Sequence, residues 1–247
     1  MKTSAAARFF CPGDLSQGAT RDLPEAAAHH AARVLRLNVG DAVIVFNGAG
    51  GEVNAQIQTI TKHRVAIRVG AWQDRETESP VAVTLVQGLS ARERMDFTIQ
   101  KAVELGVAEI FPVETRRSVM RLAQERAERR VEHWQNLAIS ACEQCGRNRV
   151  PDVRTPVTLA AWLAAREVRL PGLILAPDGG ASLLTVARSA GEFDIVVGPE
   201  GGFTGEEIAA AERAGLTALR LGPRVLRTET AGPAMLAAIH ALWGDFG

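Results

Sequence analysis

Two stretches near the C-terminus, VGPEGGFTGEEI at residues 197–208 and LRLGPRVLRTETAGPAML at residues 219–236, constrain the fold most. Each runs from an apolar, strand-like segment through a glycine-containing loop into a helix-like segment. That repetition predicts two loops opening side by side on one edge of a sheet, where helix N-termini and bare backbone amides bind small ligands. Strand-like runs at 81–86, 107–113, 173–176, 194–197 and 217–221 alternate with helix-like runs. The alternation predicts an α/β unit, a mostly parallel sheet with helices on both faces.

The N-terminal part has a different rhythm. Val43 and Val45, then Val53, Ala55 and Ile57, then Val65, Ile67 and Val69 recur with period two, separated by Asn47-Gly48-Ala49-Gly50-Gly51 and by Lys62-His63-Arg64. These are hairpins of a small antiparallel unit. A short helix is expected within 23–37, ending towards Asn38-Val39-Gly40-Asp41. The polar stretch 73–80, closed by Pro80, is the best linker. The expected domains are therefore 1–76, a compact β-barrel-like unit, and 77–247.

Composition narrows the function only a little. Lys and Arg total 28 and Asp and Glu total 28, so no net charge advertises a polyanionic partner. Basic residues outnumber acidic ones by 9 to 8 in 1–78 and 11 to 9 in 79–150, and fall behind, 8 to 11, in 151–247. An RNA would thus prefer the first two segments. Three cysteines and the lack of a secretory signal or an apolar run of about 20 residues point to a reduced, cytoplasmic setting. Cys142 and Cys145 form a C-x-x-C pair without a second pair or a ligand-spaced histidine, so no metal is expected.

The loop Gly198-Pro199-Glu200-Gly201-Gly202 is neither a G-x-G-x-x-G fingerprint nor a P-loop, which removes the usual support for dinucleotide or nucleoside triphosphate binding. Its glycines let a ligand lie against the backbone, and Pro199 stiffens its start. Thr204 with Glu207 fits a capping box, and Gly215 a left-handed C-cap. Arg227, Thr228, Glu229 and Thr230 are too many polar side chains for capping alone, although Thr228 suits a cap and Glu229 the helix dipole. Met235 falls on the apolar face of the last helix. Glu143, Gln144, Gly146 and Arg147 close a long helix at 122–147, with Gly146 as its cap. Arg92, Arg94 and Asp96 begin an amphipathic helix, and Arg116, Arg117, Arg121, Arg126, Arg129 and Arg130, broken by Glu125 and Glu128, are either an exposed helix face or an RNA track.

In their order and spacing, Arg94-Met95-Asp96, Gln100 to Gly106, Glu143-Gln144-x-Gly146-Arg147, Pro199 to Phe203 and Leu221-Gly222-x-Arg224-x-Leu226 through Ala231 closely resemble the bacterial small-subunit (16S) ribosomal RNA uridine-N3-methyltransferases of the SPOUT superfamily. Phe9-Phe10, His30, Val34 to Leu37 and Gly40-Asp41 are similar to that family's PUA-like RNA-binding domain. The resemblance implies a PUA-like β-barrel domain followed by a methyltransferase domain with a deep trefoil knot. It also implies S-adenosylmethionine as methyl donor, a homodimer, and small-subunit rRNA within the assembled subunit as substrate, with no membrane partner.

Methylation of uracil N3 needs a donor methyl in line with the nitrogen, removal of the imino proton and stabilisation of charge on the flanking carbonyls. The base must be unpaired or flipped out. On the resemblance, Gly198, Pro199, Glu200, Gly201, Gly202, Leu221, Gly222, Leu226 and Thr228 hold the donor. Arg36, Arg92, Arg94, Arg116 and Gln144 meet RNA. The base is Glu143, Glu229 or Glu200, in that order, and Arg227, Arg147 or Arg94 stabilises the uracil anion. The alternatives are a SPOUT enzyme acting on another rRNA or tRNA position, or a ribosome-assembly factor that binds RNA without catalysis.

Overall fold

The computed structural model describes residues 6–62, 64–119, 124–166, 170–186 and 191–247, with backbone alone at 124–126. His63, Arg121 and the side chains of Glu125 and Arg126 lie outside the described residues. The chain divides into two compact units: Met1–Glu78 with Cys142–Val150, and Ser79–Ala141 with Pro151–Gly247.

The first unit holds β1 (Ala7–Phe10), β2 (Thr20–Asp22), α1 (Glu25–His29), which runs on into a π-helical turn at His30–Val34, β3 (Ala42–Phe46), β4 (Glu52–Ile60) and β5 (Val65–Gln73). Its sheet has the order β1-β3-β4-β5-β2. The β3/β4 and β4/β5 hairpins are antiparallel, as the period-two pattern predicts, whereas β1 lies parallel to β3 at the edge. Every apolar residue of that pattern is buried in one core with Phe9, Leu15, Leu23 and Ala31. The helix expected within 23–37 is thus α1 and its π-turn, terminated by Arg36 at φ 53°. Leu37 N–H reaches back to the Ala31 carbonyl at 3.0 Å, a left-handed cap in which a non-glycine residue sits where glycine is usual.

The polar stretch after β5 is held down by its own charges. Arg75 pairs with Glu52 at 3.1 Å, and its carbonyl accepts from Asn148 Nδ2 at 2.7 Å. Glu76 accepts from the Gly51 amide at 2.6 Å and pairs with Arg149 at 3.1 Å. Glu78 accepts two hydrogen bonds from the buried guanidinium of Arg147. Arg8 completes the cluster, reaching Glu52 at 2.6 Å and Asn148 Oδ1 at 2.5 Å. Burial alone would raise the Glu52 carboxyl, but Arg8 and Arg75 outweigh it and hold the group below the ordinary carboxylate range.

The second unit contains β6 (Ala82–Gly88), α2 (Arg92–Glu104), β7 (Val107–Glu114), α3 (Gln124–Cys145), β8 (Asp152–Val153), β9 (Val157–Thr158), α4 (Leu159–Ala165), β10 (Gly172–Leu175), β11 (Glu192–Val197), α5 (Gly205–Arg213), β12 (Thr217–Leu219) and α6 (Thr228–Leu242). The last turn of α3 belongs to the first unit. All pairings are parallel, in the order β12-β10-β11-β6-β7-β8, with β9 also on β7. Strand side chains alternate between two packed faces. Val86, Val113, Ile174 and Val196 meet Trp162 of α4 and Ala211 of α5 on one face. Their neighbours Leu85, Ile110 and Ile195 are buried on the opposite face, and α2 and α6 pack together. Met235 is fully buried in α6, the core position its spacing indicates. The Thr204/Glu207 capping box closes α5 with bonds of 3.2 and 2.8 Å, and Gly215 follows at φ 86°.

Candidate active site

The C-terminal ends of β10, β11 and β12 open onto a cavity of about 350 Å³, within the range of small-molecule sites. Val197, Gly198, Pro199 and Glu200 form one wall, and Leu219, Leu221 and Leu226 a second. Leu175 at the end of β10, with Ala176 and Pro177 after it, supplies a third wall that the sequence did not announce. The two glycine loops are not side by side along the sheet, because β10 lies between β11 and β12. They meet above it through Thr228, whose hydroxyl donates to the Gly198 carbonyl at 2.6 Å and accepts from Gln87 Nε2 at 2.9 Å. Thr228 is therefore no helix cap. Arg227 is the N-cap residue of α6, without a capping side chain, and Thr228 opens the first turn with its side chain spent on the neighbouring loop.

Glycines allow the crowding this needs. A Cβ on Gly88 would lie 2.6 Å from the Pro199 nitrogen, and one on Gly179 2.6 Å from the Leu219 carbonyl carbon. The segment after β10 embraces β12 as it leaves the sheet: Ala176 N–H bonds the Leu219 carbonyl at 3.0 Å, and Arg220 N–H the Ala181 carbonyl at 3.3 Å. Gly202 and Gly222 turn the loops at φ 66° and 74°. Gly201 faces Arg117, which donates to its carbonyl at 3.0 Å, and a Cβ there would sit 2.9 Å from that of Arg117. Gly201, Gly202 and Gly222 thus shape the loops, while Gly198, Pro199, Glu200, Leu221, Leu226 and Thr228 line the cavity.

Charge is concentrated at one end. Arg94 reaches Glu200 at 2.9 Å and lies 3.8 Å from Glu229; Arg227 lies 4.0 Å from Glu229. Glu200 also accepts from the Ala91 amide at 2.9 Å. Burial pulls its carboxyl upward, but the Ala91 amide and Arg94 prevail and hold it below the ordinary range. Glu229 differs. Its Oε2 is buried with no hydrogen-bond partner among the described residues, an arrangement that costs free energy unless a further group completes it.

The fold and these loops are shared with proteins of known kind. The RNA methyltransferase domain family matches residues 77–240, and the RNA methyltransferase PUA domain family residues 23–70. The chain belongs to the RNA methyltransferase family. It is 30% identical over 246 residues to ribosomal RNA small subunit methyltransferase E of Buchnera aphidicola, spanning 100% of this chain and 97% of that one. The protein of the same name from Bacillus subtilis is 34% identical over 85% of this chain and 86% of its own. Among solved structures, ribosomal RNA small subunit methyltransferase E from Neisseria gonorrhoeae, bound to S-adenosyl methionine, superposes with a TM-score of 0.92 at 39% identity, covering 98% of this chain and 100% of that one. A putative methyltransferase from Legionella pneumophila in complex with SAM gives 0.94 at 36%, covering 98% and 99%.

Within this methyltransferase the expected site residues fall into two groups. Arg94, Glu200, Arg227, Thr228 and Glu229 gather at the cavity. Glu143 and Arg147 are engaged elsewhere, inside the first unit. Glu143 Oε1 accepts from the Phe10 amide at 2.9 Å, and Arg147 is spent on Glu78. Burial raises the Glu143 carboxyl above its ordinary value despite the Phe10 amide. Gln144 is exposed on the last turn of α3 and Arg36 on the left-handed cap. Arg116 is paired with Glu206 at 2.8 Å, and Arg92 with Asp96 at 3.9 Å. Gly146 caps α3 at φ 89°. Cys142 donates to the Arg149 carbonyl at 3.5 Å, and burial pushes its thiol up to about 12, so it is not a thiolate at neutral pH. Among the described residues no helix is long and apolar enough to cross a membrane.

Sequence reasoning missed Gln87, Gly88, Gly179 and the Ala176-Pro177 wall. Signals were present: a glutamine and glycine ending an apolar strand, and Asp178-Gly179-Gly180 following one. Neither says which loop it will touch.

Proposed function

We propose that the chain transfers a methyl group from S-adenosylmethionine to N3 of a specific uridine in 16S rRNA, within the assembled subunit, as a cytoplasmic homodimer. The observation that carries this reading is Glu229, whose carboxylate lies between Arg94 and Arg227, with its buried Oε2 making no hydrogen bond to a described residue, in the lining of the cavity framed by the glycine loops. Residues 1–76 bind RNA, and residues 77–247 transfer the methyl. The embrace of Leu219–Arg220 by residues 176–181 supports the threading of a deep trefoil knot, an exception to the general rule for chain connections.

The cavity residues suit the donor. Backbone groups of Gly198–Glu200 and Leu221–Leu226 offer hydrogen bonds to its adenosine and amino-acid parts, and the carboxylates of Glu200 and Glu229 favour its positive charge. When bound, S-adenosylmethionine supplies an electrophilic methyl on a sulfonium. Glu229 Oε2 accepts the imino proton of the flipped uracil. Arg227 and Arg94 face the carbonyl oxygens on which negative charge collects. The Arg94–Glu200 pair fixes the start of α2 against the donor loop.

Two measurements test the reading. Calorimetry should show S-adenosylmethionine binding that Gly201→Val abolishes, because the added side chain collides with Arg117 and displaces the loop. Retained binding in that variant would move the donor site elsewhere. Nucleoside mass spectrometry of small-subunit rRNA from a deletion strain should lack N3-methyluridine, and its persistence would refute the substrate.

A further inference from the structure

The arginines of the second unit, some at the cavity and some away from it, fall into two classes. Arg92, Arg94 and Arg116, the second-unit residues whose types suggested RNA contact, are all paired with carboxylates. Arg220 and Arg224, on the loop between β12 and α6, are exposed and make no ion pair with any described residue. They stand at the mouth of the same cavity, four residues apart, with Arg227 three further on and 79% exposed. Between Arg224 and Leu226 lies Val225, 82% exposed at the loop's turn.

We propose that this loop, Arg220 to Arg227, is the grip on the single-stranded RNA flanking the target uridine. Arg220 and Arg224 take phosphates on either side of the extruded nucleotide, and Val225 lies against the face of a neighbouring base. The chemistry is that of single-strand recognition. Cations follow the phosphates, and an uncovered apolar side chain meets a base left unstacked when its neighbour is flipped. An arginine already paired with a carboxylate at 2.8 or 2.9 Å gives up part of that pairing when it turns to a phosphate, as Arg94 and Arg116 would. Arg220 and Arg224 gain theirs without such a loss. Pro223, beside Gly222 at φ 74°, stiffens the loop and limits the freedom lost on binding.

The proposal rests on the methyltransferase reading, and its test separates the two. Binding of the full-length protein to small ribosomal subunits purified from a strain lacking the enzyme is followed against salt concentration for wild type, Arg220→Gln, Arg224→Gln and Val225→Ala. Each arginine variant should lower the slope of log affinity against log salt by about 0.7 to 0.9, the value of one phosphate contact. Val225→Ala should weaken binding with the slope unchanged. Slopes equal to wild type overturn the proposal while leaving the enzyme's function intact. The backbone of this loop faces the donor, so loss of S-adenosylmethionine binding in calorimetry of the arginine variants overturns the proposal too, by assigning their side chains to the donor as well. So does dissociation of a dimer in light scattering, which would assign the loop to a second copy of the chain. A wild-type protein that does not bind those subunits refutes the substrate reading itself, before any variant is compared.

Discussion

The molecule contains two clusters in which arginines stand among carboxylates, and they are built to opposite specifications. Around Glu52 the carboxylate and most of its neighbours are answered, Arg8 Nε being the one buried polar atom of the cluster without a hydrogen-bond partner among the described residues. Arg8 and Arg75 share one carboxylate whose side chain is 4% exposed, Asn148 bonds both Arg8 and the Arg75 carbonyl, and Glu78 takes two bonds from Arg147. Around Glu229 the arginines stand off at 3.8 and 4.0 Å, and its buried Oε2 makes no hydrogen bond to a described residue. A closely paired cluster fixes a chain and has little left to offer a ligand. An unsaturated one is costly until a ligand arrives, and marks where chemistry is done.

Opposite outcomes are expected when each is broken. Glu229→Gln should lower kcat by about 10²- to 10⁴-fold, the usual worth of a general base, with the unfolding midpoint close to wild type. Single-turnover methylation with saturating donor checks this. A rate within a few-fold of wild type would remove Glu229 from the role and return it to Glu200 or Glu143. Glu52→Ala should do the reverse, costing about 3 kcal/mol of stability in urea unfolding because it strips a buried partner from Arg8, while the folded variant keeps its donor affinity. If donor binding fails and stability holds, the two clusters are not separable as described.

The third effect is the smallest and separates Glu143 from Glu229. Burial raises the folded-state carboxyl of Glu143, so the folded protein holds this proton more tightly than the unfolded chain. Its contribution to stability is therefore largest below the ordinary carboxylate range and is lost as pH rises through the raised value. Glu143→Gln keeps an acceptor for the Phe10 amide and removes the titration. Relative to wild type the variant should gain stability between pH 4 and pH 7, as urea midpoints at the two values would show. Identical midpoint differences at both would mean that the carboxyl is not perturbed.

Legibility in the sequence followed the range of the contacts involved. The β3–β4–β5 hairpins, the Thr204/Glu207 box and the Gly215 cap are local, and their residues carry the pattern by themselves. Strands β1 and β2, with four and three residues, and β8 and β9, with two each, are too short to show a period, and their pairing is decided by distant strands. Thr228 reads as a cap because threonine before a helix usually is one. Only the approach of residues 87 and 198 across the chain turns it into a bridge. Glu143 and Glu229 are both glutamates near helix ends, and nothing in their neighbours tells that one accepts from a backbone amide and the other does not.

The first unit is visited twice by the chain, at Met1–Glu78 and again at Cys142–Val150. Synthesis on the ribosome proceeds from the N-terminus, so its hairpins emerge long before Arg147, Asn148 and Arg149. Until those residues clear the exit tunnel, Glu78 and Glu76 have no counter-ions and the Arg8–Glu52 pair lacks Asn148. The N-terminal unit therefore completes late, after the strands β6 and β7 have already been made, and a gene fragment cut at the polar stretch would encode a nascent state instead of a finished domain.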